Sequence, residues 1–460
     1  INMVSFILPG NSATGGYEVA NSLRFNNDDN AELSKTPSSD GNRRKWTFSC
    51  WVKRSQISST HEYLLSATGE TTVYFRGEIL TTELYDGNNY YIRTNRVFRD
   101  PSAWYHIVCV WDTENSTQAN RMRLYVNNVE ETSLSASVYP TQNYDSYMNK
   151  NGNTIRIGSY VNDNDGKNFD GYMAEVVLVD GQALTPSSFG EFDEDSPTIW
   201  KPIDVSTLSL GTNGFYLDFE DSSNLGNDKS GGTDFTVTNL AATDQTTDTC
   251  TNNFATMNPL DNYYSNSTFS EGNCNVTTDT TNQAHTMSTI GVSSGKWYAE
   301  VKWTSQPSGL GYAMIGISSQ SATGNNELGH NAHDYAYVSG TGQYRNNDSY
   351  TSYGSTFTVG DIIGIALNLD DNELTFYKNG TVQNSGTAIS ITAPSSTPSG
   401  FYHFALSDFG SNSTELEINF GNPSFSISSG NSDGRGYGNF EYSVPSGYYS
   451  LNSKNLAEFG

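Results

Sequence analysis

Carboxylates are the first residues in this chain whose types and spacing could do chemistry. Glu191-Phe-Asp-Glu-Asp195 places Glu191, Asp193 and Asp195 at i, i+2 and i+4, which is same-face spacing on a strand. A retaining glycosidase needs two carboxyls about 5–5.5 Å apart, and such positions can approach that. The segment has no flanking hydrophobic strand and runs at once into Ser196-Pro197, so it reads as a solvated loop. Six histidines nominate no Ser-His-Asp or Cys-His arrangement. His330-Asn-Ala-His333 could meet on one metal only in a turn or helix, and carboxylates nearby are sparse. Calcium is the more sensible ion, because it takes Asp, Asn and carbonyl oxygens. Asn162-Asp-Asn-Asp165-Gly166, with Asp163 and Asp165, is an oxygen-rich loop of that kind, as is Asp221…Asn224…Asn227-Asp228. Val161 and Tyr172 stand where an EF-hand loop needs carboxylates, so the first of these loops is not one. Turn-forming Asp and Asn without metal is the competing reading. Gly309-Leu-Gly311 and Gly434-Arg-Gly-Tyr-Gly438 open no helix, which leaves phosphate binding without support.

The remaining chemical signal is aromatic. Residues 318–354 read as a long polar insertion carrying Tyr335, Tyr337, Tyr344, Tyr350 and Tyr353. Asp86-Gly-Asn-Asn-Tyr-Tyr91 brings Tyr90 and Tyr91, and Tyr139-Pro-Thr-Gln-Asn-Tyr144 leads through Tyr144 to Tyr147. Tyr among Asn, Ser and Gly offers flat apolar faces with adaptable hydrogen bonding, suited to glycans or protein surfaces. These nine tyrosines are the expected ligand contacts, against the alternative that half or more pack between loops.

The elements that must position such residues are strands. Apolar runs are short and alternating. Trp46-Thr-Phe-Ser-Cys-Trp-Val-Lys53 puts Trp46, Phe48, Cys50 and Val52 on one face, and Trp297-Tyr-Ala-Glu-Val-Lys-Trp303 does the same for Trp297, Ala299, Val301 and Trp303. Asn127-Asn128 and Asp180-Gly181 are turn signals. Helical periodicity is nearly absent, although Thr185-Pro-Ser-Ser-Phe189 suits one short turn. The expected fold is all-β, two jelly-roll or β-sandwich domains over 1–245 and 246–460, divided near the Thr/Asp/Asn-rich stretch 243–253.

Composition narrows the partners. The 460 residues carry 24 Lys+Arg against 50 Asp+Glu, a net charge of −26 that repels phosphate and argues against nucleic acid and anionic membranes. Only 16% of residues are charged, against roughly 25% in an average domain. Aromatics at 13%, with 29 Tyr, exclude a disordered chain. No apolar run approaches the ~20 residues of a membrane span. Residues 4–8 lack the basic flank of a signal peptide, and the start on Ile1 leaves an upstream segment open. Among four cysteines, Cys50 and Cys109 lie in strand-like runs and read as buried thiols, while Cys250 and Cys274 could pair in an oxidising setting.

Several of these segments also carry a resemblance. The strand at Trp46, Trp104-Tyr-His-Ile-Val-Cys-Val-Trp-Asp112, Met122-Arg-Leu-Tyr-Val-Asn-Asn128 and Phe169-Asp-Gly-Tyr-Met-Ala-Glu-Val176 resemble, in order, a laminin-G/pentraxin-type domain of the concanavalin-A-like superfamily over about residues 15–200. Phe215-Tyr-Leu-Asp-Phe-Glu-Asp221 with Asn227-Asp-Lys-Ser-Gly-Gly232 looks like the segment that normally opens such a domain. It is expected to return at 215–240 and complete the first sandwich, as an ordinary strand leading into a turn. Gly295-Lys-Trp-Tyr-Ala-Glu300, the run from Gly360 to Asp370, and Leu374-Thr-Phe-Tyr-Lys-Asn-Gly380 are similar to SPRY (B30.2) domains, which are binding modules. Leu8-Pro-Gly10, the segment from Asp180 to Gly190, and Pro445-Ser-Gly-Tyr448 with Leu451-Asn452 resemble marine tailed-phage virion proteins.

These resemblances imply a phage virion-surface protein of the tail-fibre or adhesin type, recognising host-surface glycan or protein without catalysis. They also imply contacts with other virion proteins and a homo-oligomer, expected to be a trimer. A capsid decoration or head-fibre protein is the alternative. A polysaccharide-degrading enzyme is the second, since concanavalin-A-like sandwiches include glycoside hydrolases, whose signature would want a Glu where Asp195 stands.

Overall fold

The computed structural model describes residues 16–460 except 59, 161–166, 263, 265, 280, 307–311 and 410–412. Residues 4–8, Leu8-Pro-Gly10, Asp163, Asp165 and Gly309-Leu-Gly311 thus lie outside the described residues. The chain forms two compact units, 1–251 and 252–460. The division falls six residues after the expected 245, because Gln245–Thr246 pairs with Ser22–Phe25. Beyond it Asp248 is buried against Lys53 Nζ at 2.7 Å and Trp104 Nε1 at 3.2 Å.

Two eight-stranded sheets make the first unit. At the centre of one, Lys45–Arg54 pairs antiparallel with both Gly171–Asp180 and Trp104–Asp112. Phe215–Leu217 pairs antiparallel with Val176–Leu178 of Gly171–Asp180, so this segment does return to the first sheet pair. Trp46, Phe48, Cys50 and Val52 all enter the core between the sheets. The outer face of this sheet is also covered. Val108, Val110, Val177 and Val179 pack under Phe189, Val205 and Leu210, and Trp51, Trp104 and Tyr172 pack with Trp200 and Cys250. Burial on both faces explains why Gly171–Asp180 is apolar at most of its positions, Glu175 being the internal exception.

The second sheet runs Leu134–Val138, Asn89–Val97, Ile79–Tyr85, Thr71–Arg76, His61–Ala67, Ile155–Ile157, Glu32–Lys35 and Thr236–Thr238. Its inner face gives Leu64, Leu65, Val73, Phe75, Leu80, Leu84 and Ile92 to the core. Asn127 and Asn128, with φ of 46° and 68°, form the left-handed turn that a two-residue hairpin requires.

A nine-stranded and a six-stranded sheet make the second unit. Trp297, Ala299, Val301 and Trp303 share the core with Ile363, Ile365 and Leu367. The expected insertion at 318–354 contributes strands to the sheet: Asp334–Val338, Gln343–Asn346 and Ser349–Ser352 extend the six-stranded sheet. On the outer face of the other sheet, buried Glu300 accepts the amides of Glu441 and Tyr442 at 2.9 and 2.8 Å, fastening the C-terminal segment. The chain ends in the helix Ser453–Phe459, capped by Asn452 Oδ1 accepting from Asn455 N at 2.9 Å.

No disulfide forms among the described cysteines, and all four thiols are buried. Cys250 is enclosed by tryptophans of the first unit and Cys274 lies 3.7 Å from the Asn422 carbonyl of the second, so the expected option of a Cys250–Cys274 pair is not taken up.

Two stability predictions follow from buried charge. Arg54 and Glu62 are each 1% exposed and pair at 2.8 Å. Burial nonetheless holds the Glu62 carboxyl above its ordinary range, outweighing Arg54. Arg54→Met should therefore cost the first unit about 3–5 kcal/mol, and Arg54→Met with Glu62→Leu much less, in denaturant titrations. Glu175 sits at a bulge with φ of 50° and accepts from Tyr216 Oη at 2.7 Å. Burial pushes its carboxyl up to about 8, with Tyr216 opposing and Asp218 adding to the rise. The unfolded chain releases this proton nearer the ordinary value of 4.5, so stability is full below that pH and declines as pH rises towards about 8. Glu175→Gln should flatten that decline in thermal melts between those limits.

Candidate functional site

The carboxylates do not assemble a catalytic pair. Gly190–Phe192 pairs with Trp200–Pro202 in a small hairpin, so the segment read as a solvated loop starts as a strand. Asp193 is buried and accepts from Ser196 N at 2.8 Å, Asp195 N at 3.1 Å and Lys201 Nζ at 3.2 Å, while Glu191 and Asp195 face solvent. These donors, the Ser196 amide foremost, hold the Asp193 carboxyl below its usual range. Such a group staples a turn and is poorly placed to move a proton.

The described calcium candidates are equally committed. Asp221 accepts from Ser223 N at 2.9 Å and Ser223 Oγ at 2.6 Å, which is a turn closed on itself. Buried Asp228 accepts from Lys35 Nζ at 2.9 Å, Ser230 Oγ at 2.6 Å and the amides of Tyr216 and Ser230 at 3.1 Å. Asp228 is thus taken up by donors on both oxygens, whereas both bonds to Asp221 fall on Oδ1, and among the described residues no three His, Cys, Asp or Glu gather for a metal. His330 Nδ1 instead lies 2.9 Å from Asp348.

The structure separates the nine tyrosines. Tyr335, Tyr337 and Tyr353 are core residues, which corrects their expected role as ligand contacts. Their hydroxyls are spent on backbone: Tyr335 and Tyr353 each accept an amide at 3.0 Å, from Thr392 and Phe376, and Tyr337 donates to the Ser355 carbonyl. Half-buried Tyr344 packs edge-on to Tyr353, whereas Tyr350 is 43% exposed beside the Arg345 guanidinium. In the first unit Tyr90, Tyr144 and Tyr147 pack against the core edge, and Tyr144 donates to Asp86. Only Tyr91 of this group shares a face with the cleft described next, stacked 4.1 Å beneath the Arg93 guanidinium.

That cleft, of about 250 Å³, lies on the outer face of the second sheet of the first unit. Sheet register builds it. His61 stands opposite Arg76, Tyr63 opposite Tyr74, Thr72 opposite Glu83, and Tyr85 opposite Asn89. Tyr63 and Tyr74, with ring centroids 4.8 Å apart, form the floor, and Tyr160 stacks on Tyr63 at 4.6 Å. His61 lies 5.1 Å from the Tyr74 ring. Tyr74 donates its hydroxyl to Glu83, which also pairs with Arg93 at 3.5 Å. Burial, then Arg76 and Lys167, holds the His61 imidazole below its ordinary value, leaving it a neutral donor and acceptor. Tyr63 and Tyr74 are themselves buried, so the surface open to solvent is polar, and its hydroxyls, neutral imidazole and guanidinium groups suit recognition of a polyhydroxylated ligand.

Sequence reading had missed every one of these residues except Tyr91. Their signal was available as alternation, since Thr72-Val-Tyr-Phe-Arg76 places polar or amphipathic residues at every second position.

Comparison with known proteins then identifies both units. Residues 25–188 match the family described as the concanavalin A-like lectin/glucanases superfamily, and residues 296–423 match the SPRY domain. The chain therefore carries a concanavalin A-like domain followed by a SPRY domain, kinds that typically mediate interactions. ATP-dependent RNA helicase DDX1 of Xenopus laevis is 31% identical over 169 residues, 37% of this chain and 21% of that protein. Ran-binding protein 9 of the same species is 39% identical over 87 residues, 19% of this chain and 16% of that protein. The match thus spans about a fifth or less of these relatives. Among solved structures, the SPRY domain of human HERC1 is 18% identical, with 31% of this chain and 86% of that chain covered at a TM-score of 0.27. The SAP-like pentraxin of Limulus polyphemus is 16% identical, with 38% and 76% covered at a TM-score of 0.25.

The hydroxyl partners sort structural tyrosines from the rest. Tyr353→Phe should leave the Phe376 amide unsatisfied and cost the second unit about 1–3 kcal/mol in denaturant titration. Tyr350→Phe should change stability by less than about 0.5 kcal/mol.

Proposed function

We propose that this protein is a non-catalytic recognition protein of a tailed-phage particle surface, of the tail-fibre or adhesin type. Its first unit binds host-surface glycan in the cleft over Tyr63 and Tyr74. The observation that carries this reading is the cleft itself. The other sheet of the unit is covered on both faces, whereas this one leaves the Tyr85 ring, the Asn89 amide and the Arg76 guanidinium open to solvent. Aromatic faces supply apolar contact for a sugar ring, while the polar groups between them read its hydroxyls. Absence of catalysis is supported by carboxylates that are already engaged: Asp193 in a turn, and Glu83 with Tyr74 and Arg93.

The second unit contributes a protein-binding SPRY module, and Tyr350, beside Arg345 on the edge strand Ser349–Ser352, is an aromatic it exposes. The particle setting and a trimeric assembly rest on the sequence resemblance. Mass spectrometry of purified particles and light scattering of the purified chain test them, and an absent chain or a monomer would count against each.

A glycan array probed with the full chain tests the binding claim. The wild type should bind a defined set of glycans, and Tyr85→Ala and Tyr160→Ala should each weaken binding about ten-fold, or ~1.4 kcal/mol. An array without signal, or signals unaffected by both changes, would remove the cleft from consideration.

A further inference from the structure

The charges around the cleft are unevenly placed, and they select among sugars. Glu70 lies in the turn that joins His61–Ala67 to Thr71–Arg76, whereas His61 and Arg76 are paired at the opposite ends of those strands. Five residues of strand put about 16 Å between the two ends. Tyr63 N donates to the Lys167 carbonyl at 3.3 Å, which brings Lys167 to the His61 end, its Nζ 5.1 Å from the Tyr160 ring. Arg76 is exposed and makes no ion pair among the described residues. Arg93 is partly engaged by Glu83, yet its Nε is buried without a hydrogen-bond partner among the described residues. The nearest carboxylate on this face, Glu83, is already held by Tyr74 and Arg93.

This end is therefore cationic in a protein of net charge −26. A guanidinium without an ion-pair partner in an aromatic setting favours a planar carboxylate, which it can hold through two parallel hydrogen bonds. The overall negative field repels anions at long range, but screening confines that field to about 8 Å at physiological salt. Local cations thus decide what is retained once a ligand is in the cleft.

We propose that the cleft takes an acidic sugar, its carboxylate seated against Arg76 beside His61 and Lys167 and its ring lying against Tyr160. This rests on the glycan reading of the same cleft. A sugar carboxylate of this kind comes from a uronic acid or from a sialic acid, and the test separates the two.

Isothermal titration of the full chain would use trigalacturonate and its methyl ester in one arm, and sialyllactose and lactose in the other. In at least one arm the acid should bind about ten-fold more tightly than its neutral counterpart. The arm that does so names the source of the carboxylate. Arg76→Gln should cancel that advantage, lowering the acid's affinity to about that of its neutral counterpart. Arg76 is exposed at a strand end, so an unchanged thermal melt would show the variant to be folded. Equal affinity for acid and neutral forms in both arms, or an equal loss of both in Arg76→Gln, would overturn the proposal. Neutral glycans that bind the array through Tyr85 while both acids fail would overturn the acidic preference and leave the glycan reading standing. Silence in the array and both arms would remove the two together.

Discussion

Strand alternation within a fixed register is the constraint on which the first unit depends. Successive side chains point to opposite faces, so residues claimed by the core dictate what the other face presents. Val73, Phe75, Leu80, Leu84 and Ile92 enter the core. Thr72, Tyr74, Arg76, Glu83, Tyr85 and Arg93 are thereby delivered to one outer surface, on strands roughly 4.8 Å apart. A one-residue slip would bury the charges and expose the core, so register is strongly held. The cleft is in this sense a consequence of core packing. Its partner sheet obeys the same rule with another outcome, since Val177, Val179, Trp51 and Tyr172 on its outer side demand a cover and receive one.

Scarce charge is used mostly as internal fastening. Asp180 accepts from Asn42 N at 2.7 Å, Asn213 N at 3.0 Å and Asn149 Nδ2 at 3.1 Å, so one carboxylate ties three loops. Asp433 does the same near the C-terminus, accepting from the amides of Arg435, Tyr437 and Ser450 and from Asn455 Nδ2. A buried carboxylate that accepts from several donors fixes the loops that supply them. This explains how a chain rich in Asp and Asn can lack clustered metal sites among its described residues. The oxygen atoms are there, and amide and side-chain donors already occupy them.

The strands and their inward residues were legible because alternation is a local property. Trp46, Phe48, Cys50 and Val52, like Trp297, Ala299, Val301 and Trp303, needed only their own segments to be placed. Tyr335 and Tyr337 were misplaced for a specific reason. They stand at period two, which is a strand signal, but the Asn, Ser and Gly around them suggested a loop. The cleft was harder to see. Bringing His61, Tyr74, Tyr85 and Arg93 together requires the order of four strands and the bulges between Tyr63 and Leu65 and between Ile79 and Thr81. Such pairing between strands is not carried by any one segment.

A tyrosine's hydroxyl partner says more about its role than the loop or strand that holds it. Tyr335, Tyr337, Tyr353 and Tyr402 bond to backbone groups of neighbouring segments. Exchanging such a bond for one to a ligand would leave a buried amide or carbonyl unsatisfied, at roughly 1–3 kcal/mol. Tyr74 bonds to the carboxylate of Glu83 on an open face. That carboxylate has further lone pairs, and its alternative partners are water and ligand hydroxyls, so exchange there costs far less. Capacity to bind therefore follows from exchangeable hydrogen bonds at an open, polar surface. By that measure it lies with Tyr74, Glu83 and Arg93 in the first unit, while most tyrosines of 318–354 have already spent theirs on holding the second unit together.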